Sequence, residues 1–154
     1  MNKKLLVIII SVFMLLSMAA CGDSSEDATE GANTINVTLE AEVANDSATP
    51  QFRITSNLPD ETELMLTLGQ GDYSAQTKVY LSSGEAISEV FSNNGEALSG
   101  NYVLRVTMPV ANTQADSVKE IIGEGAENLS GPLVKESEME GFGKVVEAEF
   151  DFEF

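Results

Sequence analysis

The chain has 154 residues, with 25 acidic and eight basic side chains and a net charge of −17 at neutral pH. Nucleic-acid binding depends on lysine and arginine that displace counterions, so this balance argues against a nucleic-acid partner. Histidine is absent and the only cysteine is Cys21. These counts exclude Ser-His-Asp and Cys-His catalysis and the usual zinc ligand sets. We expect no cofactor.

The first 21 residues have the layout of a secretory signal peptide. Lys3 and Lys4 precede an apolar run over residues 5–16, and Ser17-Met18-Ala19-Ala20 then leads into Cys21. The apolar run is shorter than the roughly 20 residues that a spanning helix needs. A signal peptide that ends at a cysteine resembles the lipobox of bacterial lipoproteins, in which diacylglycerol is attached to the cysteine thiol before cleavage. The resemblance implies lipidation of Cys21 and a place on the extracellular face of the cell membrane.

The lipid anchor has to hold the protein without help from charge. Removal of residues 1–20 leaves six basic and 25 acidic residues, a net charge of −19, which disfavours adhesion to anionic lipid. Diacylglycerol supplies the two acyl chains that stable attachment takes. The Ala20-Cys21-Gly22 junction resembles lipoproteins of Gram-positive bacteria. The alternative is an ordinary signal peptide cut after Ala20, which would leave a free thiol.

The composition changes twice after the cysteine. Residues 21–33 have almost no apolar side chains and are predicted to form a disordered acidic tether. Residues 34–154 are predicted to fold as one domain. Seven segments within them alternate apolar and polar residues with the period of two that is typical of half-buried strands: 34–43, 51–56, 62–68, 75–81, 86–91, 101–108 and 144–154.

Three of these strands and one helix give sharper expectations. The last strand should point Val146, Ala148, Phe150, Phe152 and Phe154 inward. The two arginines, Arg53 and Arg105, lie opposite apolar neighbours and should pair with acids on a wet sheet face. Residues 115–122 carry Val118, Ile121 and Ile122 at the spacing of a short helix that ends near Gly123. Between Pro109 and Phe142 the pattern predicts no strand.

Short alternating strands with a turn every ten or so residues predict an all-β fold. We expect an immunoglobulin-like antiparallel β-sandwich of about seven strands, with one short helix inserted before the last strand. Segments 56–68, 100–109 and 131–134 are also similar to small, uncharacterised extracellular domains of bacterial lipoproteins. That similarity covers about half of the mature chain and implies no particular function.

The connection over residues 109–141 is the candidate interaction site, because long excursions inside a compact domain are often functional. Its apolar members are Val110, Ile121, Ile122, Leu129, Leu133 and Val134. The alternative is that this connection only caps an open end of the sandwich. The expected partners are the membrane, through the lipid, and an envelope protein, a wall component or a small ligand.

Two other functions use the acidic residues. A calcium-dependent adhesion or sensor domain would take oxygen ligands from one of three clusters: Asp23, Glu26 and Asp27; Asp60, Glu61 and Glu63; or Glu136, Glu138 and Glu140. A pair of carboxylates could hydrolyse glycosides without histidine, but the chain has no tryptophan and three tyrosines to hold a sugar ring. We therefore predict a cell-surface lipoprotein that acts as a non-catalytic binding module.

Overall fold

The computed structural model describes residues 34–45 and 48–154. The signal peptide, Cys21 and the predicted tether lie outside these residues. The strands of the described part are Ile35–Asn36 (β1), Leu39–Val43 (β2), Phe52–Ser56 (β3), Glu63–Gln70 (β4), Tyr73–Tyr80 (β5), Glu85–Ile87 (β6), Asn101–Met108 (β7), Leu129–Ser130 (β8), Val134–Glu136 (β9) and Lys144–Glu153 (β10). A 3-10 turn, Ala111–Thr113, and a helix, Asp116–Ile122 (α1), lie between β7 and β8.

The strands form two open antiparallel sheets and one small parallel pair. The larger sheet has the order β5-β4-β7-β10-β9, and the smaller one has the order β2-β3-β6. Strand β1 pairs with β8 in parallel. No helix in this part of the chain is both long and apolar enough to cross a membrane.

A single hydrophobic core lies between the two sheets. Leu64, Leu66 and Leu68 of β4 alternate with outward residues and are fully buried, as the period-two pattern predicts. From the smaller sheet, Phe52 and Ile54 enter the same core. The ring of Phe52 lies 4.9 Å from the ring of Phe152 in the larger sheet. The prediction of an all-β fold with one short helix is therefore confirmed, although two short strands, β8 and β9, separate that helix from the last strand.

Strand β10 and the two arginines behave as the sequence predicts. Val146 and Ala148 are buried, and Phe150, Phe152 and Phe154 are half-buried against the core. Arg105 donates two hydrogen bonds to Glu149 of β10, at 2.9 and 2.7 Å. Arg53 pairs with Glu42 of β2 at 2.7 Å and with Glu85 of β6 at 4.0 Å.

The first predicted strand, 34–43, is divided into β1 and β2 by the side chain of Asn57. The Asn57 amide accepts a hydrogen bond from the backbone N–H of Thr38 and donates one to the carbonyl of Asn36, both at 2.8 Å. The chain thereby leaves the parallel pair with β8 and enters the smaller sheet. The expectation of one continuous strand was wrong, because alternation does not report which strand each residue pairs with.

Two further expectations are corrected. The predicted strand over 86–91 is only Glu85–Ile87 long. Ser88 still donates its backbone N–H to the carbonyl of Phe52 at 2.9 Å, but the return bond no longer goes to a backbone carbonyl. Instead, the Ser88 hydroxyl accepts the backbone N–H of Phe52 at 2.9 Å. The stretch after Pro109 contains β8 and β9, where no strand was expected. Both are too short for a periodicity to be visible in the sequence.

Candidate binding groove between helix α1 and strand β5

The six predicted interaction residues do not form one surface. Val110, Ile122 and Leu129 are buried, and Leu133 and Val134 are half-buried against the core. Only Ile121, among the six, is an exposed large hydrophobic residue, with 49% of its surface accessible. Most of the 109–141 connection therefore packs on the rest of the domain. Of the six predicted residues, Ile121 is the one that remains a candidate for contact with a ligand.

Helix α1 is built so that Ile121 points outward. Val118 and Ile122 lie four residues apart on one face and are buried, which leaves Ile121 on the neighbouring face. Lys119 pairs with Asp116 at 2.8 Å, and this hydrogen bond lowers the pKa of Asp116. Gly123, at φ 92°, ends the helix. A helix of seven residues is not stable alone, so α1 depends on its packing.

The buried side chain of Gln114 fixes the start of the helix against the larger sheet. Its Oε1 accepts the backbone N–H of Glu63 at 2.8 Å, and its Nε2 donates to the carbonyl of Glu63 at 3.1 Å. The side-chain amide of Gln114 thus makes the two hydrogen bonds that a neighbouring strand would make with Glu63, the first residue of β4. Both backbone groups of Glu63 are satisfied, as burial requires.

A groove with a volume of about 750 Å³ lies between α1 and the end of β5. Tyr80, which is 59% exposed, and Ile121 provide large apolar surfaces, and Leu81 is buried beneath them. The complete lining is Asp60, Glu61, Tyr80, Leu81, Ser82, Ala115, Ser117 and Ile121. An apolar groove with a carboxylate edge suits an apolar group that carries a cation beside it.

Glu61 connects the turn before β4 to the helix. Its Oε2 accepts a hydrogen bond from the Ser117 hydroxyl at 2.6 Å, and its backbone N–H donates to the carbonyl of Leu81 at 2.8 Å. The residue has φ 69°, a left-handed conformation that is uncommon for a residue with a side chain. These contacts hold one acidic side of the groove in place.

The hydroxyl of Tyr80 is committed to Glu63. It donates to Glu63 Oε2 at 3.0 Å, while Lys78 Nζ lies 2.8 Å from Glu63 Oε1. The hydrogen bond from Lys78 lowers the pKa of Glu63, and the hydrogen bond to Glu63 raises the pKa of Tyr80. The hydrogen bond to Glu63 thereby fixes the hydroxyl end of Tyr80, while 59% of the residue's surface remains exposed at the groove.

Two residues of one predicted calcium cluster, Glu61 and Glu63, form other contacts. Glu61 accepts from Ser117, and Glu63 is bound to Lys78 and Tyr80. Across residues 34–45 and 48–154, no group of three or more His, Cys, Asp or Glu side chains is placed to hold a metal ion. The cluster of Asp23, Glu26 and Asp27 lies outside these residues.

Gln114 and Tyr80 are the residues that sequence reasoning missed. Gln114 is not one of the residue types that cap helices, and nothing in the pattern indicates that its side chain reaches β4. Tyr80 carried a weak signal, because it is an aromatic residue at an outward position of an alternating strand. Its partner across the groove, Ile121, lies 41 positions away in the sequence.

Comparison of the chain with protein-family models, with curated proteins and with solved structures gave no match.

Proposed function

We propose that this chain is a bacterial lipoprotein, held on the extracellular face of the cell membrane by diacylglycerol on Cys21, and that its β domain is a non-catalytic binding module. The sequence of residues 1–21 supports the anchor, since a basic start, an apolar run and small residues lead directly into the only cysteine. The groove between α1 and β5 supports the binding role.

We also assign the domain to the immunoglobulin-like sandwiches. The orders β2-β3-β6 and β5-β4-β7-β10 correspond to strands A-B-E and C′-C-F-G of that architecture. In this assignment β9 extends the second sheet beyond strand G, and helix α1 belongs to the connection between strands F and G. Binding at loops that join the strands of a rigid sandwich is a common use of this fold.

The observation that carries the binding proposal is that two exposed large apolar side chains, Tyr80 and Ile121, line the same groove. The two side chains are 59% and 49% exposed, although each sits on a well-fixed element. Interface anchors are typically aromatic and aliphatic side chains of this kind. Asp60 and Glu61 at the groove favour a partner with positive charge close to its apolar group.

The proposed ligand is a polypeptide segment of another envelope protein in which lysine or arginine lies next to an aliphatic or aromatic residue. The net charge of the mature chain, −19 from six basic and 25 acidic residues, speeds encounter with such a basic segment and repels acidic ones. A wall component or a small cationic ligand would use the same chemistry, but it would bury less of the two exposed side chains.

A displayed library of random heptapeptides, panned against the immobilised full chain, tests this proposal. We expect enriched peptides to carry Lys or Arg beside an apolar residue, and to lose binding to the Ile121→Ser variant. Val90→Ser is the matched control, because Val90 is 53% exposed and does not line the groove. Enriched peptides that bind both variants equally would refute the choice of groove.

A further inference from the structure

Strand β5 is a long sheet edge without the usual protection. The other three edges of the two main sheets are short or charged: β6 and β9 have three residues each, and β2 carries Glu40 and Glu42. In contrast, β5 has eight residues and one charge, Lys78. Its register with β4 runs without a bulge from Tyr80 to Tyr73. Edges of this kind recruit a further strand.

The backbone groups available on this edge can be identified. Leu81 donates its N–H to the carbonyl of Thr62 and accepts the N–H of Glu61, so its backbone faces the β4 side. Since direction alternates along an antiparallel strand, the backbone groups that face the open edge belong to Ser74, Gln76, Lys78 and Tyr80. Within the part of the chain that the structure describes, these groups have no hydrogen-bond partner.

We propose that β5 pairs antiparallel with β5 of a second copy of this chain, about a two-fold axis at Thr77. The outward backbone groups then meet in four hydrogen-bonded pairs. Ser74 lies opposite Tyr80 of the second copy, and Gln76 lies opposite its Lys78, with the same two pairs repeated across the axis. The larger sheets of the two copies become one continuous ten-stranded sheet.

The strand is complementary to itself in this register. Lys78 faces the neutral Gln76, whereas an axis moved to Lys78 would set two like charges against each other. On the inner face, the half-buried Ala75 lies opposite Val79 of the second copy, so the two copies bury more of each other's apolar surface. An axis at Gln76 would bring Tyr80 against Asp72, in the turn that ends the strand.

Charge makes this pairing dependent on salt. Each copy carries a strongly negative net charge, but β5 has no acidic residue, so the contact itself is not repulsive. The remaining repulsion acts between exposed charges at longer range, and salt screens it. Dimerisation is therefore expected to strengthen as sodium chloride is raised, the reverse of an interface held by surface ion pairs.

Disulfide cross-linking of the full chain tests the register. In antiparallel sheets a non-hydrogen-bonded pair has Cα atoms about 4.5 Å apart, within the range that a disulfide accepts. Oxidation of the Thr77→Cys variant is therefore expected to give a covalent dimer. Thr67→Cys is the matched control, because Thr67 is also half-buried but its strand, β4, is paired on both sides. The unsubstituted chain controls for Cys21.

A second variant separates pairing from folding. Gln76→Pro removes an N–H that faces the open edge and leaves the ladder to β4 intact, a position at which sheets tolerate proline. In the Thr77→Cys background it should abolish the cross-link and leave a cooperative thermal transition. Cross-linking of Thr77→Cys no faster than Thr67→Cys at low and high salt would overturn the proposal, as would a cross-link to a different protein in the membrane.

Discussion

The buried amide of Gln114 accepts the backbone N–H of Glu63 and donates to its carbonyl, at 2.8 and 3.1 Å. These two hydrogen bonds join residues 51 positions apart and bring the connection after β7 onto the start of β4. Because Gln114 comes just before α1, it also sets where Ile121 stands relative to Tyr80. The geometry of the groove therefore depends on the buried side chain of Gln114.

Replacement of Gln114 by alanine is expected to destabilise the domain by about 2–4 kcal/mol, because both backbone groups of Glu63 lose their partner. Urea denaturation measures the free energy of unfolding. Gln76→Ala is the control, since Gln76 is exposed and its amide, among the residues that the structure describes, bonds only the hydroxyl of Thr67; it should change stability by less than about 0.5 kcal/mol. Equal effects of the two substitutions would mean that the Gln114 contacts contribute nothing.

Stability should depend on acid pH through Glu63. The hydrogen bond from Lys78 lowers the pKa of Glu63 in the folded state, so the unfolded chain takes up a proton first as pH falls. The contribution of Glu63 to the free energy of unfolding is therefore complete above the ordinary glutamate pKa. It is lost as pH falls through the lower pKa that Glu63 has in the folded state. Glu63→Gln should cost about 0.5–1 kcal/mol at neutral pH and progressively less in acid.

Glu153→Gln is the control for this pH dependence. Glu153 is exposed and forms no ion pair with any residue that the structure describes. Its substitution should leave the free energy of unfolding nearly unchanged. Thermal melts of the three proteins from neutral to acid pH provide the comparison, and a constant difference between wild type and Glu63→Gln at all pH values would contradict the account.

Two glycines in the segment before β10 should respond differently to alanine. Both have positive φ, 84° at Gly141 and 72° at Gly143, which costs about 1–2 kcal/mol for a residue with a side chain. A Cβ at Gly141 would meet open space, whereas a Cβ at Gly143 would overlap the backbone of Gly125. Gly143→Ala should therefore lose about 1–3 kcal/mol more than Gly141→Ala, as measured by urea denaturation.

The ion pair between Arg105 and Glu149 should matter little for stability. Both side chains are about half exposed, 54% and 50%, so solvent screens their attraction. Arg105→Met should change the free energy of unfolding by less than about 1 kcal/mol. The difference between the variant and the wild type should shrink further when sodium chloride is added, and a loss that grows with salt would contradict this reasoning.

Much of the fold could be predicted because burial of one face of a strand or helix sets the spacing of apolar residues over short stretches of sequence. Leu64, Leu66 and Leu68 alternate with outward residues because only one face of β4 is buried. Val118 and Ile122, four residues apart and followed by Gly123, indicate a short helix. Each of these signals is local, and each depends on a residue type with a strong preference for its position.

The parts that could not be predicted depend on contacts between distant residues. Asn57 divides the first strand through the backbone of Asn36 and Thr38, yet asparagine is common in turns of every kind. Strands β1 and β8 have two residues each, too few for a period. Gln114 looked like any polar residue ahead of a helix, so the sequence pointed to the right connection but not to the groove.

Mass spectrometry of the mature amino terminus, purified from the membrane of an expressing bacterium, tests the central claim. The account predicts that the chain begins at Cys21, that this residue carries diacylglycerol, and that Cys21→Ser abolishes the modification and the membrane attachment. A mature chain with an unmodified thiol at Cys21, recovered in the medium, would contradict the account.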